Sequence, residues 1–209
     1  MVNRALLREL KLSLYAKGYC HLELGSIEEY EALSAQLGIV FAKTNIEVDT
    51  SKGGALLTSK GMSLHTDHPI AKYVAWFCEC PSMDGGESLL MDSHELIDNF
   101  TASEKDALRS IFVRIPAGGE KKYELAPMLS QFGLYYADWL IHRPQQKSGD
   151  ALNIFIKRLE QSKPAEIKLK KNDALFIDNK RVLHGRKAFY GNTRRLVRYW
   201  IKTRIHIND

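Results

Sequence analysis

The segment 64–69, which reads LHTDHP, contains a pair of residues whose spacing suits metal binding. His65 and Asp67 are two positions apart, so in an extended chain their side chains project from the same face. An imidazole and a carboxylate arranged in this way are two of the three protein ligands of a non-haem iron facial triad. The pattern H-x-D is short enough to arise by chance, so the interpretation needs a third ligand from elsewhere in the chain.

A second histidine in a suitable position, His184, lies far down the chain. It stands in the stretch 176–186, FIDNKRVLHGR, at the predicted end of a strand. His65, Asp67 and His184 could occupy one face of an octahedron, which would leave the other positions for a bidentate cosubstrate and dioxygen. The alternative is that the two histidines are unconnected structural residues and that Asp67 belongs to a turn.

Two arginines follow His184 about ten residues later. Arg194 and Arg198 are four positions apart and share one face if this stretch is a strand. A guanidinium binds a carboxylate through two hydrogen bonds and keeps its charge when buried, which suits one end of a dicarboxylate. The register is open, because Arg195 would take the place of Arg194 if the strand were shifted by one residue. For each arginine the alternative is a surface salt bridge.

Four motifs in this order resemble those of the TauD-like Fe(II)/2-oxoglutarate-dependent dioxygenases, a superfamily that includes taurine dioxygenase, clavaminate synthase and γ-butyrobetaine hydroxylase. The motifs are HTD at 65–67, GGESLLMD at 85–92, DNKRVLHGR at 178–186 and RRLVR at 194–198. The resemblance covers roughly residues 60 to 205, and it is far more specific than H-x-D alone. It implies a double-stranded β-helix (jelly-roll) core with iron at one open end.

By this resemblance His65, Asp67 and His184 are the iron ligands. It implies that Fe(II), dioxygen and 2-oxoglutarate react to give succinate and CO2 while a substrate is oxidised. The protein then orients the reactants and excludes water, and the metal supplies the redox chemistry. The aspartate is informative, because related halogenases lack this carboxylate so that chloride can bind iron. The chain therefore resembles a hydroxylase or a desaturase.

The resemblance also implies which residues bind the other reactants. Arg194 matches the arginine that grips the distal carboxylate of 2-oxoglutarate, with Arg195 as the alternative in a shifted register. Ser88 matches the hydroxyl residue of a G-G-[DE]-[ST] motif that helps to bind 2-oxoglutarate. Arg198 matches a position that in some members meets the carboxylate or sulfonate of the substrate. Many members are longer than this chain, so the identity of the substrate does not follow from the resemblance.

The composition is that of an ordinary globular protein. The chain has 209 residues, of which 44% are hydrophobic and 26% charged, which excludes collagen-like, coiled-coil and wholly disordered classes. Thirty basic and 25 acidic residues give a net charge of +5 that is spread along the chain, so nucleic acid is not favoured as a partner. No apolar run reaches the length of about 18 residues that a membrane span needs. Three cysteines, an odd number, predict reduced thiols and a cytoplasmic location.

The hydrophobic pattern predicts the elements that must position these residues. We expect a mainly β protein with flanking helices, a single domain over residues 1–209 with helical decoration at about 1–37 and a jelly-roll core. The predicted helices cover 2–17, 26–36, 92–100, a segment starting at Ser103, and 150–161. The predicted strands cover 19–24, 39–42, 55–58, 73–80, 166–169, 174–178 and 195–207. The aromatic-rich stretch 123–143 is expected to be irregular.

The sequence therefore predicts a cytoplasmic Fe(II)- and 2-oxoglutarate-dependent oxygenase that hydroxylates, or as a second outcome desaturates, a small polar metabolite. We expect a free amino acid or related carboxylate, because Arg198 would place an extra cation near the metal. A substrate tethered to an acidic acyl or peptidyl carrier protein is a variant that suits a basic surface. Two other classes stay open: a jelly-roll module that binds metal without redox catalysis, and a dioxygenase that acts on a macromolecule.

Overall fold

The structure is a computed structural model, and it describes residues 2–48, 58–116, 122–142 and 149–204. Most of the strand predicted over 55–58 and the end of the strand predicted over 195–207 lie outside these residues. None of the described helices is long and apolar enough to cross a membrane.

Two antiparallel β-sheets form the body of the protein. The larger sheet has the strand order β1 (Tyr19–Glu23), β12 (Asp173–Asp178), β4 (Tyr73–Cys80), β15 (Arg195–Lys202) and β2 (Ile39–Glu47). The smaller sheet has the order β11 (Ala165–Ile167), β6 (Ser88–Asp92), β13 (Val182–Arg186) and β3 (Met62–His65). Neighbours in both sheets are distant in sequence, as expected for a jelly-roll, so the mainly β fold class predicted from the sequence is confirmed.

Three short antiparallel pairs complete the described strands. They are β5 (Asp84–Gly85) with β14 (Phe189–Tyr190), β7 (Phe112–Pro116) with β8 (Tyr123–Pro127), and β9 (Leu129–Ser130) with β10 (Gly133–Leu134). The stretch predicted to be irregular therefore contains three of these short strands and a 3₁₀ turn over Asp138–Leu140. The period-2 signal of two- to five-residue strands is too short to be seen in the sequence.

The described residues form five α-helices around the sheets. They are α1 (Arg4–Lys17), α2 (Ile27–Leu37), α3 (Ser93–Ile97), α4 (Ala102–Arg109) and α5 (Gly149–Gln161). Helix α4 starts one residue before the predicted start at Ser103, because Thr101 and Glu104 form a capping box. The segment 1–37 is more than decoration, since β1 lies between its two helices and forms an edge of the larger sheet.

Apolar clusters fix the two sheets relative to each other. One cluster packs α1 and α2 onto the outer face of the larger sheet and includes Leu10, Tyr30 and Phe176. A second lies between the sheets, where Leu175 and Leu196 of the larger sheet meet Leu90 of the smaller one. A third packs α3, α4 and α5 beside the smaller sheet. The site described next lies where the inner faces of the two sheets meet.

Candidate metal centre

Three buried side chains from distant parts of the chain converge at one point between the sheets. His65 ends β3 and lies directly opposite His184 on β13, with the two imidazole centroids 4.3 Å apart. Asp67 follows β3, and its Oδ1 lies 3.8 Å from Nε2 of His65 while its Oδ2 lies 3.8 Å from Nε2 of His184. One ligand atom from each residue lies within 4.8 Å of the others. The three residues singled out in the sequence are thus brought together.

The protonation states suit a cation. Nδ1 of His65 donates to the carbonyl oxygen of Ser63 at 2.8 Å, which leaves the lone pair of Nε2 facing Asp67 and His184. Burial lowers the pKa of His65, and burial together with the neighbouring His65 lowers the pKa of His184 to about 3. Burial alone would raise the pKa of Asp67, but its neighbours His184, Arg198 and His65 lower it.

Two neutral imidazoles and one ionised carboxylate are a donor set that binds divalent transition metals such as Fe(II). These residues therefore fit the iron that the sequence resemblance implies. Their chemistry also leaves room for further ligands, because the protein supplies only one face of an octahedron from the described residues.

A pocket runs from the two histidines to a pair of buried arginines. His65 and His184 line one end, and Arg186 and Arg194 line the other. Arg194 is 7% exposed, and its guanidinium stacks on the ring of Phe189 at 5.5 Å and has no ion pair with a carboxylate of the described residues. Burial, aided by the charge of Arg186, lowers the pKa of Arg194 to about 10. Arg194 is therefore a desolvated cation that forms no ion pair with the described residues.

The remaining candidate residues take different positions around this pocket. Arg195 is exposed and lies on the opposite side of the sheet, in register with Glu47 on β2, so it does not line the pocket. Ser88 lines the pocket from β6, where it is in register with Arg186 on β13. Arg198 also lines the pocket, but its Nη1 donates to Oδ2 of Asp67 at 3.2 Å.

A comparison with protein families finds a match to the C-terminal part of the chain. The family described as "Taurine catabolism dioxygenase TauD, TfdA family" matches residues 136–200, the part that contains His184, Arg194 and Arg198. This part of the chain is therefore similar to the TauD, TfdA family. No curated protein matches its sequence.

Several solved structures share the fold of this chain. An asparagine oxygenase in complex with Fe(II), a hydroxyasparagine and succinate has 16% identity and a TM-score of 0.79, over 96% of this chain and 80% of that one. The non-heme iron oxygenase OrfP in complex with Fe and alpha-ketoglutaric acid has 19% identity and a TM-score of 0.76, over 96% and 79%. PvcB from Pseudomonas aeruginosa has 18% identity and a TM-score of 0.67, over 93% and 79%.

Sequence reasoning missed one residue that positions the site, Asn179. Its side chain is 1% exposed; Oδ1 accepts from the backbone N–H of Asp67 at 2.8 Å, and Nδ2 donates to the carbonyl oxygen of Ala71 at 3.1 Å. Asn179 therefore fixes the loop that carries Asp67. The signal was present as a polar residue directly after the apolar run of β12, within the motif DNKRVLHGR.

A second missed feature is the partner of the Asp67 carboxylate on β15. Nε1 of Trp200 donates to Oδ2 of Asp67 at 2.7 Å. Trp200 lies two residues beyond Arg198, the last residue of the RRLVR motif, and nothing in its spacing indicated a role. The pairing of β15 with its neighbours brings it to the site.

Proposed function

We propose that the protein is an Fe(II)- and 2-oxoglutarate-dependent oxygenase that hydroxylates an amino acid or a related small carboxylate, with residues 1–209 as one catalytic domain. The observation that carries this proposal is the pocket that joins the buried triad to the buried cation of Arg194, which forms no ion pair with the described residues. Solved structures of the same fold support it, since they include an asparagine oxygenase in complex with Fe(II), hydroxyasparagine and succinate, and OrfP in complex with Fe, succinate and (3S)-hydroxy-L-Arg.

The chain's own residues would hold the two cofactors at opposite ends of the pocket. His65, Asp67 and His184 would bind Fe(II), which when bound supplies the site where dioxygen oxidises 2-oxoglutarate and the substrate. Arg194 would bind the distal carboxylate of 2-oxoglutarate, since a buried guanidinium without a counter-charge gains most from a bidentate carboxylate. Ser88, on the wall between the two ends, would donate its hydroxyl to the same cosubstrate.

The walls between these ends would keep water out. They are formed by Leu90, Leu175 and Leu196, together with Trp76, whose ring edge meets the imidazole of His184 at 5.0 Å. In a site of low polarity the attraction between Arg194 and a carboxylate is stronger than in water. The same exclusion of water would protect the reaction from unproductive turnover.

The substrate would approach from the side of the metal opposite the Arg194 end. Arg198 places a cation at the triad, and the indole of Trp139 lies 5.0 Å from the ring of His65 with 55% of the residue exposed. A carboxylate on the substrate would be attracted to Arg198, and its side chain would meet Trp139. These contacts suit a free amino acid or one tethered to a carrier protein, with desaturation as an alternative outcome at the same carbon.

We place this chemistry in the cytoplasm. Cys20, Cys78 and Cys80, all within the described residues, form no disulfide. Cys20 and Cys78 are buried, and burial raises the pKa of the Cys78 thiol to about 12. Unreactive reduced thiols are typical of a reducing compartment.

A turnover screen tests the proposed function. The purified protein with Fe(II), ascorbate and 2-oxoglutarate is offered free amino acids, small acids and aminoacyl carrier proteins, and succinate is measured. Products are examined by mass spectrometry for the gain of one oxygen or the loss of two hydrogens. We expect succinate formation that depends on substrate, and tethered substrates alone would be active if the carrier variant holds.

Variants of the triad give the matched comparison. His65→Ala and Asp67→Ala should abolish turnover, because each removes a ligand that iron needs. His94→Ala is the control, since His94 has a 62% exposed side chain outside the site, and it should retain full activity. Undiminished succinate formation in both triad variants would refute the proposal.

A further inference from the structure

The two oxygens of the Asp67 carboxylate have unequal surroundings. Oδ2 accepts hydrogen bonds from Nε1 of Trp200 at 2.7 Å and from Nη1 of Arg198 at 3.2 Å. Among the described residues, Oδ1 accepts only the longer hydrogen bond from Nη1 of Arg198, at 3.5 Å, and it faces Nε2 of His65 at 3.8 Å. A carboxylate oxygen has about two lone-pair sites, so the two donors occupy Oδ2 and leave Oδ1 available.

Trp200 is held firmly in the position from which it donates. The guanidinium of Arg198 stacks over its ring at 4.8 Å. The ring of Phe41 lies 6.1 Å away, and the ring of His68 lies 5.7 Å away. An indole has a single polar hydrogen, and in Trp200 that hydrogen is used on Asp67.

We propose that Trp200 is a positioning residue that, with Arg198, keeps Asp67 a one-oxygen ligand of the metal. The proposal rests on the proposed function, because it concerns how the triad would hold Fe(II). A carboxylate that used both oxygens would fill a fourth coordination position. With Oδ2 held by Trp200, that position stays open for the cosubstrate.

Trp200 is a cleaner subject for a test than Arg198. Arg198 is charged, lines the pocket and is expected to meet the substrate, so its loss would alter several interactions at once. Trp200→Phe removes one N–H and keeps an aromatic ring between Phe41 and His68. The matched control is Tyr199→Phe, at the position just before Trp200 on the same strand. It removes a hydroxyl that donates to Glu31 at 2.6 Å.

The experiment measures metal and cosubstrate binding without turnover. Co(II) is titrated into apo-protein and followed by its visible ligand-field absorption, and 2-oxoglutarate is then titrated into the anaerobic Fe(II) protein and followed by the charge-transfer band. In Trp200→Phe we expect the Kd for Co(II) to rise about tenfold, as for loss of an outer partner of a metal ligand. The Kd for 2-oxoglutarate should also rise, and the Co(II) spectrum should change shape. Tyr199→Phe should match the wild type in the Kd for Co(II), the Kd for 2-oxoglutarate and the shape of the Co(II) spectrum.

A second measurement needs no variant of Trp200. The protein has three tryptophans, and one indole N–H signal in the ¹H–¹⁵N spectrum should be shifted downfield and protected from exchange. Asp67→Ala should move that signal and abolish its protection. This keeps the proposal testable if Trp200→Phe does not fold.

The outcomes separate this inference from the proposed function. Wild-type protein that binds neither Co(II) nor 2-oxoglutarate would overturn both. If the wild type binds Co(II) and 2-oxoglutarate, and Trp200→Phe binds both with the same affinities and spectra, only the proposed role of Trp200 would be overturned. The role of Trp200 would also be overturned if Asp67→Ala changed neither the position nor the exchange protection of any of the three indole N–H signals.

Discussion

Arg194 and Arg195 are neighbours in the chain but lie on opposite sides of the larger sheet. Arg194 is buried in the pocket and stacks on Phe189, whereas Arg195 is exposed beside Glu47. Both carry the same charge, so substituting each tests whether location in the pocket matters. A difference between them would exclude a general effect of net charge.

Arg194→Met should raise the Kd for 2-oxoglutarate by about 10- to 100-fold, because it removes hydrogen bonds between charged groups worth about 1.5–3 kcal/mol. Arg195→Met should leave this Kd within about twofold of the wild type. The measurement is the anaerobic titration of the Fe(II) protein with 2-oxoglutarate. Equal effects in the two variants, or a larger effect in Arg195→Met, would contradict the proposed anchor.

The sequence could predict which three residues form the triad. The spacing of His65 and Asp67 and the motif around His184 indicated three residues that the structure brings within 4.8 Å. The choice between Arg194 and Arg195 stayed open, because a one-residue shift in a strand moves a side chain to the other face. Trp200 could not be found, since its contact with Asp67 depends on strand pairing over a long separation in sequence.

At the scale of elements, the loop after β3 depends on a side chain from the end of β12. Asn179 bonds to backbone atoms of residues 67, 68 and 71. The loop has few backbone hydrogen bonds of its own, such as that from Ala71 to His68, and this amide accepts a hydrogen bond from the N–H of Asp67, so the position of Asp67 depends on it.

Asn179→Ala should lower the free energy of unfolding by about 1–3 kcal/mol, because it leaves buried backbone groups without partners. It should also weaken Co(II) binding, since Asp67 would no longer be held in place. Chemical denaturation and metal titration measure the two effects. Asn99→Ala is the control, because Asn99 is exposed and lies outside the loop. Wild-type metal affinity in a destabilised Asn179→Ala protein would contradict the positioning role.

Gly185 lets β13 approach β3 beside the two histidines. The pairing of these strands shifts register between His184 and Arg186, and a Cβ on Gly185 would lie 2.6 Å from the carbonyl oxygen of Met62. Real Cβ atoms essentially never come that close to backbone atoms, so a side chain here would push the strands apart.

Gly185→Ala should therefore destabilise the fold and weaken metal binding together, because the strands that it separates carry His65 and His184. Gly25→Ala is the matched control: its added Cβ would meet only the far end of the Glu29 side chain, at 3.3 Å. Thermal unfolding and Co(II) titration give the comparison. Normal Co(II) affinity in Gly185→Ala would show that the strand spacing tolerates the side chain.

The sequence predicted long elements better than short ones. The strand predicted over 73–80 matches β4, and the helices predicted over 2–17 and 150–161 match α1 and α5 within two residues. Leu10 and Leu14 are buried at the spacing that predicted α1. The pairs β7–β8 and β9–β10 were missed, because strands of two to five residues give too little alternation and are stabilised by tertiary contacts.

At the scale of the whole molecule, the site joins the two sheets. His65 and His184 belong to the smaller sheet, whereas Arg198 and Trp200 belong to the larger sheet. Asp67 contacts both groups, through the imidazoles on one side and the two donors on the other. A metal ion bound by the triad would therefore link the smaller sheet, through Asp67, to the larger one.

Metal binding should consequently raise the thermal stability of the entire fold. A ligand at about 100 times its Kd stabilises the native state by about 2.7 kcal/mol. For a chain of this size each kcal/mol corresponds to about 2–4 °C, so the midpoint of unfolding should rise by about 5–10 °C with excess Co(II). His184→Ala should lose the rise and His94→Ala should keep it, as measured by scanning calorimetry. Adding 2-oxoglutarate should increase the midpoint further only when Co(II) is present, because the cosubstrate would bind the metal and Arg194 together. A rise of equal size in His184→Ala would mean that Co(II) stabilises the protein from another site.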